Sequence, residues 1–90
     1  MLAAAAPVLV DKLVLANRIL YRQGVVDSFG HVSARHDQSS SHFLLARNMA
    51  PGLVRHADIV SFDLDGTALD AHGQRVYLER FIHAEIYRAR

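Results

Sequence analysis

Ile59–Thr67 reads IVSFDLDGT, and the way the chain leaves this stretch decides the fold. Ile59–Leu64 is rich in β-branched and aromatic residues and reads as a strand, while Asp65-Gly66 is a dipeptide that favours a tight hairpin turn. Thr67–Leu69 is then a short return strand, and the sheet is antiparallel. Upstream, His42–Ala46 (HFLLA) and His31–Arg35 (HVSAR) read as two further strands, joined by the polar loop Asp37–Ser41 (DQSSS). In the first of these, Val32 and Ala34 share one face. Asp27-Ser28-Phe29-Gly30 is a turn, and Arg47–Gly52 is irregular, with Pro and Gly as punctuation.

The ends of the chain are helical. Pro7 suits a first helical turn, where its missing N–H costs nothing. From Val8 to Gln23 the residues Leu9, Leu13, Ala16, Ile19 and Leu20 recur at helical spacing, and Gly24 reads as the C-terminal cap. After the turn Ala71-His72-Gly73, a second helix starts near Tyr77–Glu79 and runs to the last residue, with Leu78, Ile82 and Ile86 as its apolar stripe. The order helix, two strands, hairpin, helix predicts an α+β layer in one domain over residues 1–90, with no repeat and no linker. Arg88-Ala89-Arg90 stops in mid-pattern without a cap, so the helix is expected to belong to a longer domain.

Composition excludes several classes. The 90 residues are 51% hydrophobic and 21% charged, with few Gly and Pro, unlike disordered or collagenous chains. Ten Lys+Arg against nine Asp+Glu give a net charge of +1 without like-charge blocks, which argues against nucleic-acid and membrane-surface partners. The absence of cysteine removes disulfides and thiolate metal sites and fits a reducing cytoplasm. The apolar run Met1–Val10 is about half of the ~20 residues a membrane span requires, and it lacks a basic start. A soluble, untargeted protein is expected. A domain of this size buries only about 60–65% of its unfolded surface, so the fold depends on an efficient core.

Three groups of residues invite chemistry. The six histidines, at 31, 36, 42, 56, 72 and 83, contain no H-x-H or H-x-x-x-H pair, and no complete metal site is expected within the chain. Glu79 and His83 border the apolar stripe of the second helix together. Partial desolvation there would raise the Glu79 pKa and suit acid–base work, but an N-terminal Glu is also favoured by the helix dipole alone. Asp63-Leu64-Asp65-Gly66-Thr67 resembles the first motif of haloacid dehalogenase-like phosphotransferases, which implies Asp63 as phosphoryl acceptor and Asp65 as acid/base, with magnesium between them. The plain alternative is a hairpin whose Asp-Gly turn happens to spell that motif.

One pattern runs along nearly the whole chain. Leu13–Gly24 (LVLANRILYRQG), Phe29–Arg35 (FGHVSAR), Phe43–Pro51 (FLLARNMAP), Asp58–Gly66 (DIVSFDLDG) and Tyr77–Arg90 (YLERFIHAEIYRAR) together resemble the N-terminal part of the class II aldolase/adducin head family. The resemblance implies a three-layer α/β/α fold on a mostly antiparallel sheet, of which this chain is the N-terminal portion, and assembly into homotetramers. It implies a divalent-metal lyase, with zinc, or manganese or iron, stabilising an enediolate or enolate, and Glu79 in L-E-x-x-x-H as the acid/base. The non-catalytic adducin-like interaction module is the alternative within the family. By the same resemblance Gly30, His31, Ser33, Arg47 and Asn48 contribute to the substrate site. His31 stands where sugar-phosphate members carry Asn, and Arg47-Asn48 stands where their phosphate loop has Thr-Gly. A small, acidic, non-phosphorylated substrate is therefore expected, as in decarboxylase-type members. The metal-binding histidines of the family are expected beyond Arg90, so the 90 residues alone are expected to be inactive and to leave apolar faces uncovered.

Overall fold

Residues 4–22, 32–71, 73, 75–76 and 80–89 are described by the computed structural model. Helix α1 spans Pro7–Arg22, with Pro7 in its first turn as expected. Strands β1 (Ser33–Arg35), β2 (His42–Ala46) and β3 (Ile59–Asp63) follow, and helix α2 covers Arg80–Arg88. Two short 3-10 turns, Pro51–Leu53 and His56–Asp58, occupy the connection between β2 and β3. The expected turn at Asp27–Gly30, the cap Gly24 and the start of the second helix at Tyr77–Glu79 lie outside the described residues. No helix among the described residues is long and apolar enough to cross a membrane.

The three strands form an antiparallel sheet in the order β1-β2-β3. Central β2 is paired along both edges, and its two faces are covered by α2 on one side and α1 on the other, which is why HFLLA is apolar without alternation. Phe43 and Leu45 pair with Phe62 and Val60 of β3 and pack, with Ala84, beneath α2. Leu44 points the other way and packs with Val10 and Leu13 of α1, joined by Val32, Ala34 and Ile59. The sheet thus lies between α1 and α2, the three-layer α/β/α arrangement that the sequence implied.

Both helices are rotated from the faces that hydropathy suggested. On α1 the buried residues are Val10, Leu13 and Asn17, whereas Ile19 is exposed. Asn17 is tolerated inside because its Nδ2 donates to the Leu13 carbonyl at 2.8 Å, satisfying the amide within the helix. On α2, Ile82 and Ile86 are 60% and 44% exposed, and Ala84 is the buried residue. The side chains that meet the sheet are His83, Ala84 and Tyr87, with Tyr87 stacked on Phe43 at a centroid distance of 5.2 Å. A small residue at position 84 permits close approach, and the two polar rings beside it find partners on β1.

The hairpin after β3 is shorter than expected. Asp63 N donates to Thr67 O at 3.0 Å, and Phe62 bridges Ala68, but no return strand continues. The next free N–H, that of Ser61, is taken at 2.7 Å by the Asp70 carboxylate, which ends the backbone ladder. Gly66 closes the turn at φ +85°, a left-handed conformation that suits glycine.

Candidate functional site

Register places the candidate substrate turns together. Ser33 pairs with Leu45, and Ala46 pairs with Ile59, so the start of β1, the end of β2 and the start of β3 share one end of the sheet. Helix α2 points its N-terminus to that same end, because His83 meets Ser33 while Tyr87, a turn later, presents its carbonyl to Arg35 Nη2 at 2.8 Å. Asn48 N donates to Arg75 O at 2.9 Å, tying the turn after β2 to the segment before α2. Glu79 immediately precedes α2 in sequence. Glu79, Gly30 and His31 themselves lie outside the described residues.

Ser33 is half-buried on the α2 side of the sheet. Its Oγ lies 2.6 Å from His83 Nδ1 and 2.8 Å from Tyr87 Oη. The Arg35 guanidinium sits over the Tyr87 ring at 5.2 Å. Hydropathy gave no sign of this cluster, since it valued the isoleucine stripe; the i, i+4 pair of hydrogen-bonding rings, His83 and Tyr87, was the available signal.

Arg47 has a fixed partner. Its Nε donates to Asp58 Oδ1 at 2.8 Å, and its backbone N donates to Asp58 O at 2.8 Å. Asp58 is buried, and its second oxygen accepts from Arg55 N at 2.9 Å. Burial pushes the Asp58 pKa up, but the Arg47 and Arg55 hydrogen bonds and charges outweigh it, so the carboxyl is held below its ordinary 3.8. With Nε committed, the Nη edge of Arg47 is the part left to meet a ligand. Asn48 is exposed beside it.

The phosphotransferase reading of Asp63 and Asp65 gives way to the hairpin. Asp63 Oδ1 accepts from Asp65 N at 2.9 Å and from Thr67 N at 3.0 Å, which is turn chemistry. Asp65 Oδ1 is 2.6 Å from Arg88 Nη2. The carboxylate expected to attack phosphorus is instead holding its own loop together.

No group of three His, Cys, Asp or Glu side chains converges among the described residues. His36 is buried, its Nδ1 accepts from Gln38 N at 2.9 Å, and the Asp37 carboxylate lies 3.7 Å from the same atom. His56 Nδ1 lies 3.2 Å from Asp11 Oδ1 at the surface. These residues do not fit a divalent-metal site.

Compared with known proteins, residues 11–90 match the family described as class II aldolase and adducin N-terminal domain. The chain belongs to this family. Its pattern therefore covers the helix, the sheet and α2 alike. Among relatives of the aldolase/adducin domain, the decarboxylase tropJ of Talaromyces stipitatus is 39% identical over 71 residues, which are 77% of this chain and 27% of that protein. An L-fuculose 1-phosphate aldolase from Glaciozyma antarctica superposes with a TM-score of 0.79 at 26% identity, over 91% of this chain and 35% of that one. An aldolase II superfamily protein from Pseudomonas syringae gives 0.81 at 27% identity, over 96% of this chain and 37% of that one. The chain thus spans 27% to 37% of the length of these relatives.

Proposed function

We propose that this aldolase/adducin domain carries the substrate turns and the acid/base group of a divalent-metal lyase, of decarboxylase or aldolase type, acting on a small carboxylated and non-phosphorylated substrate. The observation that carries this reading is the gathering of Ser33, Arg47, Asn48 and the N-terminus of α2 at one end of the sheet. A helix N-terminus and an arginine edge there favour a negatively charged ligand. The 39% identity to a protein named a decarboxylase favours carboxylate over phosphate.

In this reading the Arg47 Nη edge and the Asn48 amide bind the substrate carboxylate, with Ser33, His31 and the Gly30 backbone as further contacts. Glu79 takes or returns the proton. A divalent ion, zinc or alternatively manganese or iron, is what family membership implies for stabilising the charge left by carbon–carbon cleavage. The described residues do not furnish its ligands, so the role proposed for them is substrate binding, with proton transfer left to Glu79. Homotetramer assembly belongs to the same proposal.

The test is a cleavage assay on the natural gene product supplied with zinc, manganese or iron, comparing carboxylated substrates with sugar phosphates. Turnover of a carboxylated compound is expected, with Glu79→Gln lowering it by about 100-fold or more, the scale of general acid–base catalysis. Activity on a sugar phosphate and none on carboxylated compounds would sink the substrate assignment. A protein that takes up no divalent ion tightly would point to the adducin-like module instead.

A further inference from the structure

The cluster of Ser33, His83 and Tyr87 joins β1 to α2 within the candidate substrate site. We infer that His83 is a positioning residue that sets the direction of the Ser33 hydroxyl hydrogen, making Ser33 a donor to an anionic substrate oxygen whenever His83 Nδ1 carries a proton. The inference deepens the proposed reading, because it rests on Ser33 facing substrate.

Hydrogen-bond counting carries the argument. A serine hydroxyl has one hydrogen and two acceptor lone pairs. Two partners are already fixed, His83 Nδ1 at 2.6 Å and Tyr87 Oη at 2.8 Å. Either oxygen can donate in the Ser33–Tyr87 contact; in the arrangement we infer, the phenol, the stronger donor, gives its hydrogen to Ser33. When Nδ1 also carries hydrogen, Ser33 accepts from both rings and its own hydrogen is free to point outward. When Nδ1 is bare, Ser33 must donate to it, and only one lone pair is left. The same hydroxyl then suits a substrate hydroxyl and repels a carboxylate.

The surroundings hold this geometry. From β2 the uncharged Phe43 stacks on both rings, 6.4 Å from His83 and 5.2 Å from Tyr87 between centroids. From β1 the Arg35 guanidinium faces Tyr87 and bonds its carbonyl. On α2 itself Arg80 and Tyr87 lie one turn to either side of His83, and Arg80 Nε is bonded to the Gly66 carbonyl. Histidine is the side chain whose ordinary pKa lets it change state near neutral pH.

The experiment uses the uniformly ¹⁵N-labelled protein and acetate as the probe. NMR reads the protonation of His83 Nδ1 from about pH 5 to about pH 8, while the Ser33 amide shift reports acetate binding. Acetate affinity is expected to fall about tenfold as Nδ1 loses its proton, the weight of one hydrogen bond to a charged group. Ser33→Ala should weaken acetate binding about tenfold at the acid end of this range and abolish its pH dependence. His83→Phe, which keeps the stack on Phe43, should bind with less than about a twofold change over the same range. Tyr87→Phe should keep the pH dependence, which separates orientation by His83 from mere packing of α2. The inference is overturned if acetate binding is unchanged while wild-type Nδ1 loses its proton, if His83→Phe keeps the full pH dependence, or if no binding depends on Ser33. Its failure is distinguishable from failure of the lyase reading, which the Glu79→Gln cleavage assay decides without acetate.

Discussion

Replacing Asp58 by asparagine probes how the candidate site is held. The carboxylate is buried, accepts from Arg47 Nε at 2.8 Å and Arg55 N at 2.9 Å, and lies 3.6 Å from Arg55 Nε. Hydrogen bonds to charged groups contribute about 1.5–3 kcal/mol each. The Arg47 side chain is 30% exposed and recovers some hydration when its partner loses charge, which discounts its share. The Arg55 side chain is 72% exposed, so its ion pair adds little. Asparagine keeps the shape and one acceptor, and the net cost is about 2 kcal/mol, from a domain total of roughly 5–10 kcal/mol.

The pH dependence supplies a second reading. Folded Asp58 has a pKa below its ordinary value of 3.8. Its stabilisation is therefore complete above that value and is lost as pH falls through the lower, folded pKa. Urea unfolding followed by far-UV circular dichroism should give a wild-type advantage of about 2 kcal/mol at about pH 6, closing only below the ordinary carboxylate range. A difference under about 0.5 kcal/mol at neutral pH, or one that stays constant into strong acid, would refute the assignment of Asp58 as the charged anchor of Arg47.

Two further substitutions test the helix α2 packing and the hairpin. Gly66→Ala should cost about 1–3 kcal/mol in the same unfolding assay, because φ is +85° and the new Cβ would lie 2.6 Å from the Phe81 ring. On α2, Ala84→Leu should destabilise by about 1–3 kcal/mol through overpacking against Phe43 and Phe62, whereas Ile82→Glu should change stability by under about 0.5 kcal/mol. The reverse ranking would mean that α2 presents its isoleucine stripe to the sheet.

The strands were legible because their neighbours are fixed by covalent and pleat geometry. His42–Ala46 was read with its observed bounds, and Ile59–Leu64 differs from β3 by one residue. The helix faces were not legible from hydropathy. On α1 apolar residues surround the helix, so Leu9, Leu13 and Ile19 fit a stripe as well as the observed Val10, Leu13 and Asn17. On α2 the inward choice depends on Ser33, a residue fifty positions earlier, satisfying His83 and Tyr87. No local window contains that partner. Of the candidate site, the residue identities came from the family resemblance, while the contacts that constrain Ser33 and Arg47 came only with the fold.

Those constraints tie stability to binding. Asp58 holds Arg47 through Nε and through the backbone at once, which fixes the plane of the guanidinium and leaves its Nη edge for a carboxylate. Ser33 is held by two rings from α2, so its hydroxyl direction is set before any ligand arrives. A site made this way loses little freedom on binding, because the ordering is already supplied by folding. Acid pH then acts on the two anchors in opposite senses. Protonating Asp58 removes the partner that orients Arg47, whereas protonating His83 Nδ1 frees the Ser33 hydrogen to donate. Carboxylate binding should consequently weaken toward alkaline pH as Ser33 turns inward, and toward acid as the ligand carboxylate itself is neutralised, with release of Arg47 by protonated Asp58 following at still lower pH.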